Sequence, residues 1–177
     1  AVFNSNDIYP VSADSTLPFA QHRDIFYLSG VDQEESILVL FPDAFDEKHR
    51  EVLFLRETNE HIAVWEGEKL TKDRAFEVSG IKTVYWLSDF PTIFRKMMVE
   101  AENVYINNNE HYRASVETET REDRFIKKLK NDYTAHQYLR SNPILQRLRS
   151  VKEPQEIALI QLAWLIILRQ IVQILTV

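Results

Sequence analysis

The five histidines are the residues of this sequence whose type points most directly to metal binding. A helical zinc site usually places two histidines four positions apart, with a catalytic glutamate between them. The nearest pair here, His49 and His61, is separated by 12 positions. We therefore predict no metal site within this chain, and read the histidines as ordinary surface or half-buried residues.

Other forms of catalysis have little support in the residue types. The chain has no cysteine, which excludes disulfides and cysteine nucleophiles and is compatible with a cytoplasmic location. None of the serines lies in a Gly-x-Ser-x-Gly turn, although spacing alone leaves a Ser-His-Asp arrangement open. Three glycines are too few for a phosphate-binding or dinucleotide-binding loop. A net charge of −6 argues against a nucleic-acid partner.

Two side chains stand out as candidate binding residues. Asp14 lies in a polar loop at residues 12–19, where its carboxylate could brace the loop or meet a substrate amine. Trp65 ends an apolar run and precedes Gly67, so it could pack in the core or form the wall of a site. The residue types alone leave these alternatives open.

The elements that would position these residues form a mixed pattern. Short apolar runs between turn residues predict strands, followed later by alternating strands and helices. This order indicates an α/β fold with a mixed β-sheet flanked by helices. The predicted strands cover residues 1–4, 25–29, 36–41, 52–55, 61–65, 83–87 and 104–106.

Helix boundaries follow from capping residues. Thr71 is a predicted N-cap of a helix that Gly80 ends, and Ser88 is a predicted cap of the next helix. Thr118 is expected to start a charged helix, and residues 142–143 to open a further helical turn.

A break at residues 151–154 precedes a final helix from Gln155 that is strongly apolar. Because it contains Arg169 and several glutamines, we predict no membrane span. We expect this helix to be buried against protein outside the chain.

Three stretches together resemble the amino-terminal domain of aminopeptidase P, the Xaa-Pro aminopeptidases. The first combines SADS at residues 12–15, PFAQ at 18–21, DIFYLSG at 24–30 and ILVL at 37–40. The second, VWEGEKL at 64–70, is similar to a Trp-x-Gly segment, and the third, LRSVKEPQEI at 148–157, to the junction with the catalytic domain. Ala20 departs from the arginine usual in the family, which puts substrate preference in doubt rather than the fold.

The resemblance implies a longer protein with two domains. Residues 1–150 would be a non-catalytic domain with a ribonuclease-H-like sheet, and residues 151–177 a linker and the first helix of a pita-bread catalytic domain. That second domain would hold two divalent metal ions, commonly manganese, on residues outside this chain.

Further expectations follow from the same resemblance. The parent would be a homo-oligomer that cleaves peptides with proline at the second position. Asp14 and Trp65 match family positions that reach the substrate channel. A prolidase or creatinase parent and a non-enzymatic interaction module are the alternative readings.

Overall fold

One six-stranded sheet organises most of the chain. The structure, a computed structural model, describes residues 1–59, 61, 64, 67–113 and 117–175. The strands of the sheet are β1 (Val2–Asn4), β4 (Ile37–Leu40), β5 (Glu51–Leu55), β6 (Thr83–Trp86), β7 (Asn103–Ile106) and β8 (Gln137–Arg140). They are arranged in the order β6-β5-β4-β1-β7-β8. The pairs β1–β7, β7–β8 and β5–β6 are parallel, and the pairs β1–β4 and β4–β5 are antiparallel.

The middle of the sheet is apolar on both faces. The side chains of residues 52–55 in β5 are all fully buried, as is Leu38 of β4. Continuous apolar strands of this kind need cover on both faces, and helices supply it. The predicted mixed α/β fold is therefore confirmed. The helices are α1 (Arg23–Ser29), α2 (Lys72–Ser79), α3 (Phe90–Glu100), α4 (Arg121–Asp132), α5 (Asn142–Ser150) and α6 (Pro154–Leu175).

On one face, α3 and α4 close an aromatic core. Phe54 of β5 contacts Phe90 of α3 edge to face, with the ring centroids 5.0 Å apart. It also stacks on Tyr85 of β6, with the ring centroids 5.9 Å apart. Phe94, Met97 and Met98 of α3 and Leu129 of α4 belong to the same buried cluster. Such aromatic contacts add to the free energy that apolar burial already contributes.

The predicted boundaries of α2 are confirmed. The Thr71 side chain accepts a hydrogen bond from the Arg74 amide at 3.2 Å, which satisfies one of the free amides of the first turn. Gly80 ends the helix with φ of +73°, and its amide donates to the Phe76 carbonyl at 2.8 Å. The sequence alone predicts these helix boundaries correctly, because each cap depends only on residues within one helical turn of it.

The prediction of a strand at residues 25–29 is wrong, because this segment forms the last five residues of α1. His22 caps the helix by accepting from the Asp24 amide, and Gly30 ends it with φ of +68°. Ile25 and Ser29, four residues apart, both point inward, and the Ser29 hydroxyl donates to the Ile25 carbonyl at 2.7 Å. An apolar run of five residues does not distinguish a strand from a short buried helix.

Two predicted helix starts also need correction. Ser88 does not cap α3: it lies in a 3-10 turn, Leu87–Asp89, and its hydroxyl donates to Glu57. The charged helix starts at Arg121 rather than Thr118, because Thr120 and Asp123 form a reciprocal capping box.

Three strands were not predicted from the sequence. They are β8 and a small hairpin of β2 (Pro10–Ser12) and β3 (Ser15–Thr16). The strand predicted at residues 61–65 falls mostly outside the described residues, although His61 and Val64 are helical.

The chain divides into two compact units, residues 1–142 and 143–177. The second contains nearly all of α5 and all of α6. The large apolar side chains of α6 between residues 157 and 168 are 44–67% exposed. Among the described residues, no helix is both long and apolar enough to cross a membrane.

Candidate functional site

Asp14 lies at the tip of the β2–β3 hairpin. Ser12 pairs with Ser15, which leaves Ala13 and Asp14 as the two residues of the turn, and Ala13 adopts a left-handed φ of +48°. Both side chains are exposed. A carboxylate at the tip of a tight hairpin is presented to solvent, where it is free to meet a cationic group on another molecule.

Trp65 lies outside the described residues, so the structure does not test whether it approaches Asp14. The residues that follow it are firmly anchored. Lys69 forms an ion pair with Glu34, and both side chains are nearly buried, at 13% and 11% exposure. The Leu70 amide donates to Gln33 Oε1 at 2.6 Å. The segment at residues 69–70 is thereby fixed to the acidic turn at residues 32–35.

A single glutamine holds that acidic turn in place. Gln21 Nε2 lies within hydrogen-bond distance of the Val31 and Gln33 carbonyls, at 3.1 and 2.9 Å, and of Ser36 Oγ at 3.2 Å. Gln21 belongs to the PFAQ motif of the sequence, so that motif has a structural role. It holds the acidic turn at residues 32–35, and that turn holds residues 69–70.

Neither metal ligation nor serine activation has support in the geometry. Within the described ranges, no three His, Asp or Glu side chains are close enough together to hold a metal ion. The Ser141 hydroxyl has carbonyl and amide oxygens as acceptors, Ile106 O and Asn107 Oδ1, both at 3.0 Å. A hydroxyl that donates to these groups is not activated by a base.

The structure reveals a polar crevice that the sequence analysis missed. It lies at the carboxyl ends of the parallel strands β1 and β7, where α1 and α4 also begin. Asn4 and Asn107, which follow the apolar residues of these strands, are 2% and 4% exposed. Asn107 Nδ2 donates to Asp24 Oδ2 at 3.2 Å, which ties β7 to α1. The signal available in the sequence was an asparagine directly after each of these apolar runs.

Glu122, in the first turn of α4, is the most perturbed acid of the crevice. Burial raises its pKa from the usual 4.5 to about 7, against hydrogen bonds from Asn4 and the charge of Arg121, which favour the ionised form. The same burial lowers the pKa of the Arg121 guanidinium, which Glu35 and Asp7 partly offset. The crevice therefore contains a carboxyl group that titrates near neutral pH.

The chain matches the family model described as aminopeptidase P, N-terminal domain, over residues 1–105. Among curated proteins it is 27% identical to the Xaa-Pro aminopeptidase 3 of Homo sapiens, covering 90% of this chain and 31% of that protein. It is 28% identical to the Xaa-Pro aminopeptidase of Escherichia coli, covering 86% of this chain and 34% of that protein. The chain thus spans about a third of the length of these relatives.

Solved structures show the same fold. A candidate aminopeptidase P from Bacillus anthracis superposes with a TM-score of 0.75 at 22% identity, covering 89% of this chain and 37% of that one. The low-pH form of aminopeptidase P from E. coli superposes with a TM-score of 0.67 at 24% identity, covering 89% of this chain and 36% of that one.

Proposed function

Because the chain belongs to the family of aminopeptidase P N-terminal domains, we propose that it is the non-catalytic domain of a metallo-aminopeptidase that removes the residue preceding proline. Its role in that parent is to shape the substrate entrance and to support assembly into a homo-oligomer. The match over residues 1–105 carries the proposal. The printed names of the curated relatives, which are Xaa-Pro aminopeptidases, support it.

The metal chemistry of the proposed reaction belongs to residues outside this chain. The described residues supply no three ligands that could share an ion, so they do not fit a two-metal centre. Two divalent ions, with manganese as the expected metal, would be held elsewhere in the parent. Residues 1–150 would then form the N-terminal domain and residues 151–177 the linker and first helix of the catalytic domain.

Asp14 and Trp65 are the proposed contacts with the substrate channel. The free α-amine of a peptide is cationic, and Asp14 offers an exposed carboxylate at the tip of a tight hairpin. Trp65 would provide an apolar wall. In the chain it comes shortly before Lys69 and Leu70, which are anchored to the acidic turn. Neither residue would take part in the metal chemistry.

The first experiment asks where the activity resides. The chain 1–177 should release no amino acid from an Xaa-Pro-Xaa peptide with manganese present, whereas the full-length parent should. Turnover by the repurified chain would overturn the proposal. Cleavage by the parent of only Xaa-Pro dipeptides, or of creatine, would favour a prolidase or creatinase relative, and no activity would favour an interaction module.

The second experiment tests Asp14 in the full-length parent. If the site closes around the substrate, Asp14→Ala should lower kcat/KM about tenfold, which corresponds to about 1.4 kcal/mol. Trp65→Ala should mainly change the preference for peptide length and first residue. Melting temperature and metal content, measured on the same preparations, should stay unchanged. Unaltered kinetics in both folded variants would remove these residues from the site.

Assembly and location remain predictions. The exposed apolar side chains of α6 provide a surface for contact with further protein. A cytoplasmic location is compatible with a cysteine-free sequence, and fractionation of cells that express the parent would test it.

A further inference from the structure

The crevice between β1, β7 and the start of α4 contains a cavity of about 270 Å³. In open α/β sheets, ligands bind outside the carboxyl ends of the strands, and this cavity lies at that edge. The proposed substrate channel uses none of the residues that line it. Its polar lining includes Asp7, Asn108, Asn109, Arg121, Glu122 and Asp123.

Arg121, the first residue of α4, has a guanidinium group without a partner in the described part of the chain. Burial lowers its pKa, and the charges of Glu35 and Asp7 offset part of that effect. Neither acid is ion-paired with Arg121. Glu35 is ion-paired with Arg56 instead, and Asp7 with Arg124. A guanidinium group offers five N–H donors, so this one retains the capacity to bind an acceptor.

The guanidinium group of Arg121 is accessible from the crevice. Among the described residues, the buried side-chain nitrogen and oxygen atoms that lack a hydrogen bond belong to Gln33, Glu122 and His136. No nitrogen of Arg121 is one of them. Because these nitrogens are unpaired without being shielded from solvent, a molecule in the crevice is able to accept hydrogen bonds from them.

Two asparagines add further donors to the lining. Asn108, which follows β7, is exposed, and its side chain forms no hydrogen bond within the described ranges. Asn109 Oδ1 accepts from the His111 amide at 3.2 Å, which leaves Asn109 Nδ2 available as a donor. The cavity is therefore lined by a cation and two amide groups that all retain donor capacity.

The acids of the lining, in contrast, already have donors of their own. Asp7 accepts from the backbone at the start of α4 at 2.7 Å and pairs with Arg124. Asp123 accepts two hydrogen bonds within the capping box. Glu122 Oε2 accepts from Asn4 at 2.9 Å, and burial raises the pKa of Glu122 to about 7, so it is mostly neutral at pH 6. The accessible hydrogen-bonding capacity that remains is mainly that of donors.

An acceptor with a single negative charge matches these donors best. The two oxygens of a carboxylate lie in one plane and fit two parallel N–H groups of a guanidinium. Arg121 repels a cationic ligand, and a dianion adds repulsion from Asp7 and Asp123. We propose that this crevice binds a small molecule bearing a carboxylate group, to which Arg121, Asn108 and Asn109 donate hydrogen bonds. This site does not depend on the proposed peptidase function.

The experiment is an NMR titration of the isotope-labelled chain with N-acetylglycine at pH 6. N-acetylglycinamide is the neutral probe of nearly the same shape, sodium sulfate is the dianionic probe, and sodium chloride controls for ionic strength. N-acetylglycine should produce saturable shifts of the side-chain amides of Asn108 and Asn109 and of the Arg121 Nε–H. The other three compounds should not produce them.

Three variants assign the binding to the guanidinium group. Arg121→Gln removes the charge and should weaken the binding of N-acetylglycine by about tenfold or more, because a charge-assisted hydrogen bond is lost. Arg121→Lys keeps the charge without the planar fork and should retain only part of the affinity. Arg95→Gln is the matched control, because Arg95 is an exposed arginine of α3 that does not line this crevice. Its affinity should stay within about twofold of the wild type.

Three results would overturn the proposal. They are an absence of saturable shifts at tens of millimolar N-acetylglycine, equal shifts with any of the other three compounds, and unchanged affinity in a folded Arg121→Gln variant. The first would mean that water alone satisfies the guanidinium group. Because the four compounds are compared on the unaltered chain, the proposal remains testable even where a variant does not fold.

Discussion

The middle of the sheet and the edge at the carboxyl end of β1 are built in opposite ways. In the middle, Leu53 and Phe54 are fully buried among apolar side chains. At the edge, buried Asn4 and Asn107 are held by hydrogen bonds, and Glu34 by an ion pair. Both regions contain buried side chains, but those at the edge include groups whose charge can change.

This difference separates stability from function. Apolar burial contributes free energy without direction, in proportion to area. Polar groups that are buried contribute little net free energy unless every partner is present, and they cost much when one is missing. We therefore expect substitutions in the middle to act through lost burial at any pH, and substitutions at the edge to act through specific partners and pH.

The largest effect should come from the middle. Phe54→Ala removes a fully buried ring that contacts Tyr85 and Phe90. We expect the free energy of unfolding to fall by about 3–5 kcal/mol. Phe45→Ala is the matched control, because Phe45 is 93% exposed, and it should change stability by less than about 0.5 kcal/mol. Urea denaturation measures both, and similar losses would contradict the assignment of the core.

The pH response should come from Glu122 at the edge. Its folded-state pKa of about 7 lies above the usual 4.5, so the unfolded chain loses this proton first as the pH rises. The folded state is therefore progressively destabilised between pH 4.5 and pH 7, by up to about 3 kcal/mol. Denaturation of wild type and Glu122→Gln across this range should show that the wild type loses stability relative to the variant as the pH rises. A constant difference would be inconsistent with a buried, protonated carboxyl.

The ion pair at the edge should depend on both partners. Lys69→Met leaves Glu34 nearly buried without its cation, which should cost about 2 kcal/mol. Adding Glu34→Gln should recover most of that loss, because the uncompensated charge disappears. Lys127→Met is the control: its pair with Glu119 is exposed, so its loss should change stability far less than Lys69→Met does. Equal losses at Lys69 and Lys127 would show that burial does not distinguish the pairs.

The smallest effect should come from the cap of α4. Thr120→Ala removes the side chain that accepts from the Asp123 amide, at a cost of about 1 kcal/mol. Thr118→Ala should have almost no effect, since Thr118 lies before the helix. Thermal unfolding of the two variants decides which threonine caps the helix.

The sequence was most informative where structure depends on nearby residues. The Thr71 and Gly80 caps of α2, and the apolar runs that became β4 and β5, were predicted from adjacent side chains alone. Prediction failed at residues 25–29, where the choice of helix over strand depends on packing of Ile25 in the core. It also failed at β8, a partly exposed strand that pairs only with β7 within the six-stranded sheet.

The candidate sites show the same limit. Asp14 could be singled out because a polar loop is visible in the sequence, and the structure adds that it lies on a tight hairpin. Glu122 could not, because it is one of several acids in a charged segment. Its environment results from residues such as Asn4, which lies 118 positions away in the chain.

The sequence by itself determined the family, the apolar strands at the centre of the sheet and the local caps of α2, because these depend on residue type and short spacing. Only the tertiary structure decided the strand order, the helical state of residues 25–29, and the crevice at the ends of β1 and β7. The physical reason is that burial and the pairing of polar groups are set by contacts between distant segments. A single carboxyl group such as Glu122 acquires its unusual pKa only after those segments have come together.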